Sequence, residues 1–121
     1  MSSFIFKTFS GSMRSQMDIN FGRWLAKQRT QAGLTQKDVA AKCRLSDPYI
    51  TRLESGSTEP PPLKTCKALA RALSIQWEEL WRRAFAARLE KWIKRQGYSH
   101  ISDAVLLEIA KRIEEADKQP R

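Results

Sequence analysis

From Asn20 onward the apolar side chains recur at intervals of three and four, the spacing of helix faces rather than of strands. Phe21, Trp24, Leu25 and Ala32, with basic residues between them and Gly33 as a stop, predict a first helix over residues 20–32. Thr35 stands as an N-cap with Asp38 three residues on, a variant of the capping box. With Val39, Ala40 and Cys43 as its short apolar face, this predicts a second helix over 36–43. Ser46 can cap a third over 47–55, with Pro48 in its first turn, Ile50 and Leu53 inward and Gly56 at its end.

The run from Ser57 to Pro62 breaks the pattern, because successive prolines remove donors and disfavour helical backbone before them. A stiff loop is expected there. Leu63, Cys66, Leu69, Ala70 and Leu73 then define a fourth helix. Trp77, Leu80, Trp81, Ala84, Phe85, Leu89, Trp92 and Ile93 define a longer fifth one ending at Gly97. Ser102 or Asp103 can cap a last helix carrying Val105, Leu106, Ile109, Ala110 and Ile113. Residues 1–17, rich in Ser and Met without a sustained period, read as a flexible arm. The expected organisation is all-α: an arm (1–17), a helix-turn-helix domain (18–86) and a C-terminal helical extension (87–121).

Size and charge narrow the partners. A chain of 121 residues has room for one core and a short appended element. Its 22 basic against 13 acidic residues give a formal charge of +9, which suits a polyanion held by counterion release. The excess is concentrated in Phe21–Ala86, with 12 basic and 6 acidic residues, against 8 and 6 in Ala87–Arg121. No apolar run approaches the roughly 18 residues that span a bilayer, so no membrane partner and a cytoplasmic location are expected. Cys43 and Cys66 fall at apolar helix positions and read as small buried hydrophobes rather than a disulfide or metal pair. His100 is the only histidine, with no second ligand or nucleophile at a recognisable spacing. The scattered carboxylates are accounted for by caps and helix surfaces, so neither an enzyme nor a cofactor is expected.

The second and third helices, joined by a tight turn, have the form needed to hold one helix in a DNA groove. Their inward set is Val39, Ala40, Cys43, Leu45, Ile50 and Leu53, and helix two is expected to bury one side against helices one and four. The residues Leu34-Thr35-Gln36, Val39-Ala40, Leu45-Ser46, Ile50-Thr51-Arg52-Leu53-Glu54 and Ser55-Gly56 resemble the phage repressor and Cro family, of the xenobiotic-response-element type. The resemblance continues through Leu63, Ala70, Ala72-Leu73, Ile75 and Glu79-Leu80, and so covers residues 21–81.

This resemblance implies a five-helix lambda-repressor-like DNA-binding domain and, as partner, double-stranded DNA. It implies that Gln36 bonds a phosphate and that Asp47, Pro48, Thr51 and Arg52 face the bases. The loop residues Ser55, Ser57 and Thr58 would then meet the backbone, and Arg29 and Glu54 would form a partly buried ion pair between helix one and the recognition helix. The chemistry fits these roles unevenly. The Arg52 guanidinium can donate two hydrogen bonds to guanine or else clamp a phosphate. Thr51 can offer a methyl group to thymine, and Pro48 only apolar contact. Asp47 can accept from cytosine, but a first-turn carboxylate also stabilises its own helix dipole without touching DNA. Arg44 replaces a usual turn glycine, which demands left-handed backbone there, and its cation could offset the cost through a phosphate contact. Gln28 in a normally apolar place and one extra loop proline are the other departures.

Trp77, Trp81, Phe85, Leu89 and Trp92 recur about every four residues, more aromatic surface on one helix than a domain this size readily buries. Dimerisation is the expected use, setting two recognition helices about 34 Å apart on a palindromic operator. The alternative is that helix six folds back over the stripe, with Tyr98–Ile101 as the turn. The sequence thus reads as a dimeric repressor, bacterial or phage-encoded and nucleoid-associated. The competing class is a protein-interaction module, such as an antitoxin that binds a toxin and regulates its own promoter.

Overall fold

The computed structural model describes residues 20–97 and 102–118. The expectations for residues 1–17, the Tyr98–Ile101 turn and His100 lie outside them. Six helices follow in order: α1 (Phe21–Gln31), α2 (Gln36–Cys43), α3 (Asp47–Ser55), α4 (Leu63–Leu73), α5 (Trp77–Arg95) and α6 (Asp103–Lys118). Among the described residues there is no strand.

Local chemistry sets the ends of the first three helices. The Asn20 side chain accepts from the Arg23 amide at 2.9 Å and opens α1. At α2 both halves of a capping box form: Asp38 N–H donates to Thr35 Oγ1 at 3.0 Å, and Thr35 N–H donates to the Asp38 carboxylate at 2.9 Å. The bond from the Thr35 amide holds the Asp38 carboxyl below its ordinary range, so the box stays formed at neutral pH. Ser46 caps α3 by accepting from the Tyr49 amide at 3.2 Å. Gly56 ends α3 at φ 79°, where a Cβ would be strained. Arg44 ends α2 at φ 58°, taking the left-handed backbone that glycine would take more easily.

One core binds α1 to α5. Phe21 and Leu25 of α1, Val39 and Ala40 of α2, Ile50 and Leu53 of α3, and Cys66, Leu69, Ala70 and Leu73 of α4 close on Leu80 and Ala84 of α5. Burying a side chain such as Ile50, which is wholly inaccessible, stabilises the fold by about 1.5–3 kcal/mol. α3 lies against α1 and α2, while α2 packs on α3 and α4. α2 thus packs across the recognition helix α3 and against α4 as a helix-turn-helix requires, while the expected packing of α2 on α1 is not among its principal contacts: α1 spends its contact surface on α3 and α5.

α5 runs unbroken past residues 86 and 87, so domain and extension share a helix. α6 packs along α5, closing a second cluster of Ala86, Ile93 and Leu106 with Leu89 and Leu107 at its margin. Arg82 of α5 reaches the buried Glu114 of α6 at 3.3 Å and its own neighbour Glu79 at 2.7 Å. Burial alone would raise the Glu79 carboxyl, but its hydrogen bonds and charge pairing with Arg82 and Arg83 bring it below the ordinary value.

Candidate nucleic-acid interface

α3 presents two faces of opposite character. Ile50 and Leu53 point into the core, whereas Asp47, Pro48, Thr51 and Arg52 are all exposed. Tyr49 lies between, half-buried against the core. Burial raises the Tyr49 phenol above its ordinary range, and its hydroxyl remains a neutral donor at physiological pH.

Behind the exposed face runs a chain of polar contacts that ties α3 to two other helices. Arg29 of α1 donates from Nε to Glu54 Oε2 at 2.6 Å and from Nη2 to Oε1 at 3.1 Å. Its Nη1 donates to the Leu34 carbonyl at 2.9 Å, so one guanidinium fixes both the end of α3 and the approach to α2. The paired carboxylate raises the Arg29 guanidinium further above its ordinary value, and the side chains are only 16% and 7% exposed. Glu54 Oε1 accepts in addition from Gln36 Nε2 at 2.9 Å, and Gln36 Oε1 accepts from the Thr51 hydroxyl at 3.0 Å. The same hydroxyl lies 3.2 Å from the Asp47 carbonyl, and with one proton it donates to one of the two at a time.

Gln36 is thus built into this relay, with one amide hydrogen and one lone pair still available for a ligand. The first-turn amides of α2 lack carbonyl partners within the helix, which makes its N-terminus electropositive. Arg44, at the far end of α2, is exposed. Ser55 and Ser57 pair through their hydroxyls at 2.6 Å, and the Ser57 amide donates to the Arg52 carbonyl at 3.0 Å. Thr58 follows, half-buried. An exposed cation, hydroxyls and oriented amides in this arrangement can bind a phosphate backbone while α3 offers donors to base edges.

The aromatic stripe is occupied by the chain itself along most of its length. Trp77 and Trp81 pack against the core, with Lys67 4.7 Å above the Trp77 ring and Arg88 5.9 Å from that of Trp81. Phe85 meets Trp81 edge-on at 5.6 Å, and Leu89 lies against the α5–α6 cluster. Trp92 alone of the five is open to solvent, at 51%. Cys66 is buried and Cys43 half-buried, both as free thiols. Among the described residues no helix is long and apolar enough to cross a membrane, and no cluster of His, Cys, Asp or Glu could hold a metal ion.

Two contributors escape sequence reasoning. Gly22, in the first turn of α1, faces the end of α3 so closely that a Cβ there would fall 2.6 Å from the Leu53 carbonyl oxygen and onto that of Glu54. A glycine beside Phe21 in an amphipathic helix was the available signal. The relay from Glu54 through Gln36 to Thr51 links residues 15 and 18 positions apart, beyond the reach of any local pattern.

Residues 25–80 match the helix-turn-helix family. YqaF of Bacillus subtilis (strain 168), described as an uncharacterized helix-turn-helix-type transcriptional regulator, is 33% identical over 55 residues, spanning 46% of this chain and 71% of the relative. No solved structure gives a significant match.

Proposed function

The chain belongs to the helix-turn-helix family of DNA-binding transcriptional regulators, and on that premise we propose that it is a repressor that binds a palindromic operator as a homodimer and reads it with α3. The observation that carries this reading is the division of α3: Asp47, Pro48, Thr51 and Arg52 face solvent while Ile50 and Leu53 lock the helix to the core. A net charge of +9 supplies the long-range attraction to DNA. Arg52 is the principal base reader, donating to guanine in the major groove. Gln36, Arg44, Ser55, Ser57 and Thr58 set the register by holding phosphates. A small dimer lying over a promoter excludes polymerase without any further surface, and the protein acts on the nucleoid of a bacterial cell.

A second reading has its own support. Trp92, Val105 and Ile113 are exposed apolar residues on the α5–α6 pair. They suit a protein partner, such as a toxin neutralised by a chain that also regulates its own promoter.

The discriminating experiment selects bound duplexes from a random library. Affinity for the winner and for a scrambled duplex is then measured at two salt concentrations, with the parent chain and with Arg52→Ala. The repressor reading expects a palindromic winner, and in the variant a loss of about 1–3 kcal/mol of discrimination confined to one base pair per half-site. Enrichment of no sequence, with binding that vanishes as salt rises, would leave the interaction module as the function.

A further inference from the structure

The loop between α3 and α4 is held by a residue far away in sequence. Arg88, midway along α5, donates from Nη2 to the carbonyl oxygens of Pro60 at 2.8 Å and Pro61 at 3.0 Å. Prolines carry acceptors but no N–H, so the run Pro60–Pro62 donates no backbone bond; the Pro62 carbonyl accepts from the Cys66 amide at 2.9 Å as α4 begins, whereas the carbonyls of the buried Pro60 and Pro61 need a side-chain donor. Arg88 serves both. Cys66 adds a weaker bond from Sγ to the Pro61 oxygen at 3.4 Å, and burial pushes its thiol up to about 12, which keeps the proton on the donor. Farther out, Lys91 Nζ lies 3.9 Å from Glu59 on the exposed side of the loop. The short segment Ser55–Thr58 therefore hangs between two anchors, the Gly56 end of α3 and the prolines gripped from α5.

We propose that Arg88 is a positioning residue for DNA binding: by gripping the Pro60 and Pro61 carbonyls it fixes where the Ser55–Thr58 segment meets the phosphate backbone. The inference rests on the reading of this chain as a duplex-binding regulator. It assigns Arg88 of α5 an indirect part in DNA binding, since its guanidinium is turned onto the loop carbonyls and the Trp81 ring.

The test uses the duplex selected with the parent chain. Affinity and its salt dependence are measured for Arg88→Met, Arg88→Lys, Ser57→Ala and the double variant Arg88→Met with Ser57→Ala, each at a temperature where its thermal melt shows it fully folded. Arg88→Met is expected to weaken binding about 10-fold on the selected duplex and its single-base variants alike. Base preferences stay unchanged, and the slope of log affinity against log salt falls by about 1. Arg88→Lys retains most of the affinity, because one nitrogen meets both carbonyls and an ammonium can take its place. The double variant loses less than the product of the single losses, since both changes disturb one loop. Parent-like binding by Arg88→Met, or losses that multiply in the double variant as they would for a separate phosphate contact, overturn the assignment. A parent chain that prefers no duplex overturns the DNA-binding reading itself, a result separable from either.

Discussion

Arg44 and Ser74 both hold left-handed backbone without being glycine, at φ 58° and 57°, at the ends of α2 and α4. The conformation costs an ordinary L-residue about 1 kcal/mol relative to glycine, so each substitution by glycine is expected to raise unfolding stability by about that amount in urea titration. What differs is their surroundings. Ser74 ends α4 beside the start of α5, whereas Arg44 is an exposed cation between the two helices of the DNA-binding unit. Arg44→Gly should therefore gain stability and lose operator affinity together, with a salt slope smaller by about 1. Ser74→Gly should gain stability alone. Equal affinity in both variants would assign the Arg44 side chain no part in holding the backbone.

Among the elements, the angle at which α3 is presented depends on α1, through the close approach of Gly22 to the Leu53 and Glu54 carbonyls and, about two turns along α1, the Arg29–Glu54 pair. Gly22→Ala places a methyl group against two backbone carbonyls that cannot swing aside as a side chain would. It is expected to cost about 1–3 kcal/mol in chemical denaturation and to reduce base discrimination in the molecules that remain folded. A variant as stable as the parent would mean that α1 can lift from α3 without consequence. The contrast with the capping residues explains what the sequence could tell. Thr35, Asp38, Ser46 and Gly56 act within one turn of where they stand, and the helices they delimit, 36–43 and 47–55, are readable from the residues alone. The Arg29–Glu54 pairing was accessible only through a family resemblance. Gly22, the Gln36 bridge and the Arg88 grip depend on which helices meet, and that is decided by the core as a whole. The aromatic stripe on α5 reads as surplus surface for a related reason: a one-dimensional pattern counts rings but does not show the Lys67 and Arg88 side chains set against Trp77 and Trp81.

For the whole molecule, that internal use of the stripe moves the dimer question outward. Trp77 and Trp81 are partly buried against the first core and Leu89 against the second, so the more open apolar surface offered to a second copy is the part of α5 beyond them together with exposed residues of α6. Trp92 is the largest apolar group exposed there, with Val105 and Ile113 exposed on α6. Tryptophan is a common anchor of interfaces, and truncating such an anchor typically costs at least about 2 kcal/mol of association, or more than tenfold in the dimer constant. Because Trp92 is half open in the single chain, Trp92→Ala should leave the thermal melt of the monomer nearly unchanged while shifting sedimentation equilibrium toward monomer. Operator binding would follow the same division. A palindromic duplex gains affinity because the second half-site is engaged at high effective concentration, so the variant should lose on the full operator and keep the parent's affinity for an isolated half-site. A dimeric parent whose Trp92→Ala variant sediments and binds the full operator as the parent does would place the dimer contact away from Trp92, and a parent that sediments as a monomer overturns the dimer reading itself.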